Sequence, residues 1–223
     1  MRELGRPALA KTSSRRPAAS AHVLRRPAYR QAMASADWAE AMARELLEEA
    51  LPRRWAHTQG VAATARTLSG ILGDDTDLIV AAAWLHGIGY SPAIAVTGFH
   101  PLDGARHLRD MEQASALLCC LVAHHSCAMN EAAERGLAGE LAREFPPPPD
   151  DLADALTYGD MTTGPDGQDM IVEQRVGEIL ARYGPDHLVS RAIIDSTPQL
   201  IAAVSRITHK FANPPNRPSP PVL

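Results

Sequence analysis

Apolar residues in the middle of this chain recur at the spacing of an α-helix, and this spacing limits the fold more than any other feature of the sequence. One predicted helix face repeats every three or four positions: Val61, Ala65, Leu68 and Ile71. The segment 79–85 is apolar on every face, which is typical of a helix buried in a core. No stretch alternates strictly between apolar and polar positions in the manner of a strand. We therefore predict an all-α fold, a single helical bundle.

Proline and turn residues set the limits of the predicted helices. Ser35 or Asp37 caps the first helix, Pro52 ends the first pattern, and the turn at 73–75 ends the second. A loop, 87–100, follows the buried helix. The predicted helices span residues 35–51, 54–72, 78–86, 101–109, 111–124, 129–144, 150–159, 169–183, 185–193 and 197–211.

Composition divides the chain into three parts. Residues 1–35 are rich in Arg, Ala, Pro and Ser and lack apolar periodicity, and residues 213–223 contain five prolines. Neither segment can bury enough apolar surface to offset the entropy lost on ordering. We predict a disordered basic N-terminal extension at 1–35, one folded domain at 36–212 and a disordered proline-rich tail at 213–223.

The charge is unevenly distributed. Residues 1–32 hold eight of the 22 basic residues and one of the 26 acidic residues, which leaves a net charge of −11 on residues 33–223. So negative a domain would be repelled by the phosphate backbone of nucleic acid. We therefore expect no nucleic-acid partner for it. No apolar run reaches the roughly 18 residues of a membrane span, and no signal-peptide core follows the basic N-terminus. With three cysteines, two of them adjacent, a disulfide framework is not expected. We predict a cytoplasmic protein without a membrane partner. The sequence does not determine its oligomeric state.

Histidines at predicted helix ends are the candidate functional residues. They are His57, His86, His100, His124 and His125, and Asp160 follows a further helix. Side chains at the ends of different helices can converge on one pocket, and imidazoles with a carboxylate are donors that divalent transition metals favour. A single histidine at a helix end is more often a cap or a hydrogen-bonded core residue than a ligand. Spacing alone leaves both interpretations open.

The order and the neighbours of these residues resemble the HD superfamily of metal-dependent phosphohydrolases, over about residues 36–210. The family pattern is a first histidine, a His-Asp dipeptide after a buried helix, further histidines and a late aspartate. The matching segments, in order, are RRWAHTQGV, AAAWLHGIGY, FHPLDGARHL, LVAHHS and ALTYGDMTTG. The resemblance implies that residues 36–212 form an HD-like helical bundle.

The same resemblance implies the roles of the individual residues. The candidate catalytic set is His57, His86 and Asp160, which would hold a divalent cation. His100 and His124 would form a second cluster of metal ligands.

Substrate contacts complete this assignment. Neighbouring residues on a helix point about 100° apart, so one of His124 and His125 should ligate while the other faces substrate or packs. We assign His124 as the ligand and His125 to the substrate. Arg54, just before His57, could offer its guanidinium to a phosphate group. Tyr90 could contact substrate or pack, and we favour packing.

Gly87 departs from the family pattern, because it stands where the family has the aspartate of the His-Asp dipeptide. The family's aspartate is a metal ligand that bridges two ions in dinuclear members, and glycine has no side-chain donor. The expected cofactor is therefore one divalent transition metal ion rather than two. It could be Mn, Fe, Zn, Co or Ni.

Three functions follow as hypotheses. The first is a phosphohydrolase acting on a small phosphorylated metabolite or nucleotide, weakened by the missing aspartate. The second is a degenerate, non-catalytic HD domain that binds a phosphorylated ligand or a partner protein. The third is an oxygenase with a di-iron centre, which the missing bridge disfavours.

Overall fold

The structure, a computed structural model, describes residues 35–213. The predicted N-terminal extension lies outside the described residues except for Ser35, and the predicted proline-rich tail does so except for Asn213. The described range is helical and contains no strand, so the predicted all-α fold is confirmed. No helix in this range is long and apolar enough to cross a membrane.

The helices are numbered here in chain order. They are α1 (Ala36–Leu47), α2 (Pro52–Thr67), α3 (Ser69–Leu72), α4 (Thr76–Leu85), α5 (His100–Asp110), α6 (Ala116–His124), α7 (Ala128–Glu134), α8 (Ala138–Glu144), α9 (Asp150–Met161), α10 (Val172–Tyr183) and α11 (Leu188–Ala212). Short 3-10 turns occupy Gly73–Asp75, Ile88–Tyr90 and His125–Cys127.

Serine side chains cap the starts of two helices. The Ser35 hydroxyl accepts a hydrogen bond from the backbone N–H of Trp38, which caps α1 as predicted. Ser115 accepts from the N–H of Leu118 in the same way. The helix predicted from residue 111 therefore begins only at 116.

Two predicted boundaries in the second half of the chain are wrong. The helix predicted at 129–144 is divided into α7 and α8, because Gly136 adopts a positive φ of 73°. The break predicted between 193 and 197 is absent, since α11 continues through Pro198. The hydroxyls of Ser196 and Thr197 donate to carbonyls one turn earlier, beside the point where proline lacks its N–H.

Helix α4 forms the centre of the main core. Its residues 79–85 are all buried, as the sequence predicts. Helices α1, α2, α6 and α9 pack around it. Trp84 stacks on Trp55 of α2 with ring centroids 5.3 Å apart. This packing holds the end of α4 beside the first turns of α2.

A second, smaller apolar cluster joins α9, α10 and α11. Its buried members are Met161, Val172, Val176, Ile179, Leu200 and Val204. The candidate site lies where this cluster meets the main core.

The turn after α4 lies directly against the start of α5. A Cβ atom on Gly89 would come within 2.0 Å of the carbonyl oxygen of His100 and 2.7 Å of the Gly104 nitrogen. Only glycine permits this backbone approach. The contact places His86 and His100, from two separate helices, in the same region of the molecule.

Ion pairs connect α5 to α8. Arg106 donates to Glu140 at 2.7 Å and to Glu144 at 2.5 Å, and Arg109 donates to Glu144 at 2.9 Å. The hydrogen bond from Arg106 lowers the pKa of Glu144 from about 4.5 to about 2. The ionised form of Glu144 therefore stabilises the folded state.

We expect Glu144→Gln to lower the free energy of unfolding at pH 7 by about 1 to 2 kcal/mol, because two arginines lose their shared carboxylate. The folded-state pKa is depressed, so this contribution is complete above the unfolded-state pKa of about 4.5. It disappears as the pH falls toward about 2. Denaturation at pH 7 and at pH 3 measures the difference. Glu140→Gln, which changes a more exposed partner of Arg106, should lower the free energy of unfolding less. The expectation would be contradicted if wild type and Glu144→Gln differed by the same amount at both pH values.

Candidate metal centre

His57 lies on α2 with both ring nitrogens opposite oxygen acceptors. Its Nδ1 lies 3.0 Å from the carbonyl oxygen of Gly164, and its Nε2 lies 3.0 Å from Oδ1 of Asp160. Burial lowers the pKa of His57 despite the neighbouring carboxylate, so the ring is neutral at pH 7. A neutral imidazole has one N–H and can satisfy only one of these acceptors. The other contact lacks a proton.

His86, at the end of α4, has one nitrogen without a partner. Its Nδ1 donates to the carbonyl oxygen of Ala83 at 2.7 Å, while its buried Nε2 has no hydrogen-bond partner among the described residues. Burial lowers the pKa of His86 to about 3, so this ring is also neutral. The Nε2 lone pair is therefore free to bind a cation.

These two histidines and Asp160 form a compact donor set. One ligand atom from each lies within 4.8 Å of the other two, and all three residues are buried. A cation held by His57, His86 and Asp160 would take the role of the missing proton, and it would give Nε2 of His86 a partner. Backbone carbonyls at Nδ1 are the usual means of orienting ligating histidines. The residues present fit a divalent metal ion.

Asp160 is held by three neighbours besides any cation. The Ser126 hydroxyl donates to Oδ2, and Arg175 lies 3.8 Å from Oδ1. Burial alone would raise the pKa of Asp160, but its contact with His57 and the nearby Arg175 guanidinium keep the pKa well below its ordinary value. The carboxylate is therefore ionised and oriented.

Ser126 and Cys127 provide this hydrogen bond at a conformational cost. Both have left-handed backbones, with φ of 48° and 60°. For residues other than glycine this conformation costs about 1 to 2 kcal/mol each. The turn between α6 and α7 thereby directs the Ser126 hydroxyl toward Asp160. Sequence reasoning missed Ser126, since nothing local distinguishes it from an ordinary turn serine.

The loop that faces His57 is closely packed on α2. A Cβ on Gly60 would lie 2.6 Å from the carbonyl oxygen of Gly167, and Gly167 has a φ of 83°. Arg53 pairs with Asp166 of this loop at 2.8 Å, on the surface. These contacts hold the Gly164 carbonyl where Nδ1 of His57 can reach it.

His100 and His125 form a second cluster beside the first. Nδ1 of His125 donates to the Val122 carbonyl oxygen at 2.6 Å, and the Nε2 atoms of His125 and His100 lie 3.0 Å apart. Burial lowers the pKa of both rings. As neutral rings they satisfy each other with one N–H, without an ion. The contacts of His57 differ, because one of its two acceptors is left without a proton.

The assignment of His124 as a ligand needs correction. The structure places His125, rather than His124, next to His100 and His86. Nε2 of His124 instead lies 2.8 Å from the carbonyl oxygen of Phe145. The helix ends at residue 124 and a 3-10 turn begins at 125, so the 100° offset expected on a continuous helix does not predict which ring faces inward.

Gly87 is a buried residue in a conformation that does not require glycine. Its φ is −99° and its ψ is 0°. A Cβ there would lie 3.3 Å from Cδ of Arg54 and 3.5 Å from Oγ1 of Thr58. The Thr58 hydroxyl is buried and has no partner among the described residues. An aspartate at 87 could accept a hydrogen bond from this hydroxyl, once the flexible Arg54 side chain shifts by a few tenths of an ångström.

Arg54 and Tyr90 border the second cluster. The Arg54 guanidinium carbon lies 4.1 Å from the centre of the Tyr90 ring, and this ring stacks on His100 with centroids 3.8 Å apart. Tyr90 therefore packs against these two side chains, and it also lines a cavity beside Arg54.

A cavity connects the two clusters to a group of arginines. It has room for several water molecules, and its lining includes His86, His125, Asp160, Arg54 and Arg175. An adjoining groove of about 410 Å³ has a mostly apolar surface, to which Leu51, Pro52 and Pro165 contribute, and three arginines also line it. Arg175, on α10, was not among the residues predicted from sequence, because no motif surrounds it.

One comparison identifies the type of domain. A family model described as HD domain matches residues 54–163, which contain His57, His86, His125 and Asp160. Comparison with curated proteins and with solved structures gave no match.

We expect excess divalent transition metal to stabilise the wild type, because a ligand that binds only the folded state raises its stability. At one hundred times the dissociation constant the gain is about 2.7 kcal/mol. Thermal unfolding of metal-free protein with added Mn²⁺, Co²⁺ or Zn²⁺ measures it. His86→Gln should lose the gain and His107→Gln, a partly buried histidine on α5 paired with Glu112, should keep it. Equal gains in wild type and His86→Gln would contradict the site.

We expect Ser126→Ala and Ser126→Gly to weaken metal binding by about tenfold to about a hundredfold, because Asp160 loses the neighbour that orients it. The glycine variant should also be more stable than the alanine variant, since glycine tolerates the left-handed backbone. Metal titration and thermal unfolding separate the two effects. Wild-type metal affinity in both variants would count against the role of the hydroxyl.

Proposed function

Because residues 54–163 of this chain belong to the HD domain family, we propose that the protein is a metal-dependent phosphohydrolase acting on a small phosphorylated metabolite or nucleotide. The observation that carries the proposal is the donor set of His57, His86 and Asp160, whose ligand atoms lie within 4.8 Å of one another. Two neutral imidazoles and one carboxylate with open positions suit a divalent transition metal.

A bound divalent cation would polarise phosphate oxygens and lower the pKa of a bound water. In the proposal, Nε2 of His57, Nε2 of His86 and Asp160 hold the ion, which could be Mn, Fe, Zn, Co or Ni. The carbonyls of Gly164 and Ala83 keep the two imidazoles in the tautomer that leaves Nε2 free. No protein nucleophile is required.

One ion rather than two is proposed. His100 and His125 are satisfied by their mutual hydrogen bond, and Gly87 supplies no carboxylate between the clusters. The donor set carries one negative charge, on Asp160, so its cation affinity should be lower than that of a set with a second carboxylate. The missing carboxylate at position 87 also argues against the di-iron oxygenase.

Arg54 and His125 are the proposed substrate contacts. Both line the cavity that contains Asp160. The cavity is small, and the adjoining apolar groove could accommodate the rest of a small metabolite. The acidic balance of residues 33–223 still disfavours nucleic acid as the substrate.

Gly87 also supports a second candidate, a non-catalytic HD domain that binds a phosphorylated ligand or a partner protein. In that case the lost carboxylate has removed activity, while the remaining donors persist as a binding site. This candidate expects no phosphatase activity in any metal.

The decisive experiment compares wild type with Gly87→Asp and with Asp160→Asn. Metal content and activity on a panel of phosphorylated metabolites are measured with each of the five metals. We expect wild type to be active and Gly87→Asp to bind metal more tightly, because a carboxylate is restored beside the Thr58 hydroxyl. Asp160→Asn should bind little metal. Tight metal binding without activity in wild type would favour the non-catalytic candidate, and no metal uptake by wild type or Gly87→Asp would reject the site.

A further inference from the structure

We propose that Arg175 and Arg54 form an anion clamp for the phosphoryl group, and that the substrate is a phosphomonoester that binds as its dianion. The proposal rests on the proposed function for the identity of this anion as substrate. Arg175 lies on α10, outside the segment that matches the HD family model.

Arg175 is a buried cation with unused hydrogen-bonding capacity. Its side chain is 3% exposed, and its Nε has no partner among the described residues. Nη1 donates to Glu178 at 2.5 Å, whereas Asp160 is 3.8 Å from Nη2, beyond hydrogen-bond distance. A buried guanidinium is costly unless it is fully paired. Arg175 also lines the cavity, so an anion there could pair with its guanidinium group.

Arg54 borders the same cavity from α2. Within residues 35–213 no carboxylate forms a salt bridge with it, although most other arginines there are paired. Its guanidinium lies over the Tyr90 ring, which fixes its position. The charge of Arg54 is thus available to a ligand.

The carboxylates around the cavity do not cancel this charge. Glu131 lines the cavity but pairs with Arg135 at 2.7 Å. Glu178 is shared between Arg175 and Arg182. Asp160 faces His57 and belongs to the metal site. Three arginines line the cavity, Arg54, Arg175 and Arg182, against two carboxylates, so its charge balance is positive and favours an anion.

The charge and the size of the cavity favour a monoester. A phosphomonoester has a second pKa near 6 and binds two arginines as a dianion at pH 7. A diester carries one negative charge and bears organic groups on two sides. The cavity has room for several water molecules, which is enough for a terminal phosphoryl group. Guanidinium groups bind such oxygens through paired N–H bonds that lysine cannot reproduce.

The test uses the full chain, loaded with Mn²⁺ and also metal-free, and measures the binding of inorganic phosphate by calorimetry. We expect Arg175→Lys and Arg54→Lys each to weaken phosphate binding by about tenfold to about a hundredfold, with the metal content unchanged. Arg44→Lys is the matched control, since Arg44 pairs with Glu40 on the surface of α1. It should bind phosphate as the wild type does. Dimethyl phosphate, a diester, should bind much more weakly than phosphate.

Two results would overturn the clamp. One is a folded Arg175→Lys variant whose phosphate affinity is within about twofold of the wild-type affinity. Such a change is smaller than the loss of even one charged hydrogen bond would cause. If Arg175→Lys does not fold, unchanged binding by Arg54→Lys has the same meaning. The other is equal affinity for phosphate and dimethyl phosphate.

The outcomes also separate this proposal from the proposed function. Phosphate binding that depends on Arg175, without hydrolysis in any metal, would reject the hydrolase and leave the clamp. Conversely, the wild type could hydrolyse phosphomonoesters while neither Arg175→Lys nor Arg54→Lys raises the KM. That result would reject the clamp and leave the hydrolase.

Discussion

Hydrogen bonds between histidine Nδ1 atoms and backbone carbonyls determine what the rest of the candidate site can do. His57, His86 and His125 each direct Nδ1 at a carbonyl oxygen, from Gly164, Ala83 and Val122. Because burial lowers the pKa of all three rings, each has a single N–H. When that proton is used at the carbonyl, Nε2 presents a lone pair to the interior. The fold thus converts three buried rings into oriented electron-pair donors.

The two histidine clusters differ in how those lone pairs are satisfied. Nε2 of His125 meets an N–H from His100, so that pair is complete. Nε2 of His57 meets a carboxylate oxygen, and Nε2 of His86 meets no protein group in the described range. Only the first cluster has a deficit that a cation would remove. This difference supports a single metal ion, independently of the glycine at position 87.

The sequence was sufficient for the fold class and for much of the donor set. Apolar periodicity predicted the buried α4, and the motif order brought His57, His86 and Asp160 together as candidates. The choice between His124 and His125 failed, because it depends on the turn where α6 ends. Ser126 and Arg175 were missed for a related reason. Their positions relative to Asp160 arise from long-range packing of α6, α9 and α10, which no local pattern encodes.

The smaller apolar cluster has a consequence for how such a protein can diversify. It docks α10 and α11 on the end of α9 and so sets where the Arg175 guanidinium stands. The two imidazole donors, His57 and His86, are carried by α2 and by the end of α4, in the main core. Substitutions among Val172, Val176 and Ile179 would shift the guanidinium while leaving the imidazoles in place. Ligand preference in this architecture can therefore evolve by repacking one peripheral helix while both imidazole donors stay in place.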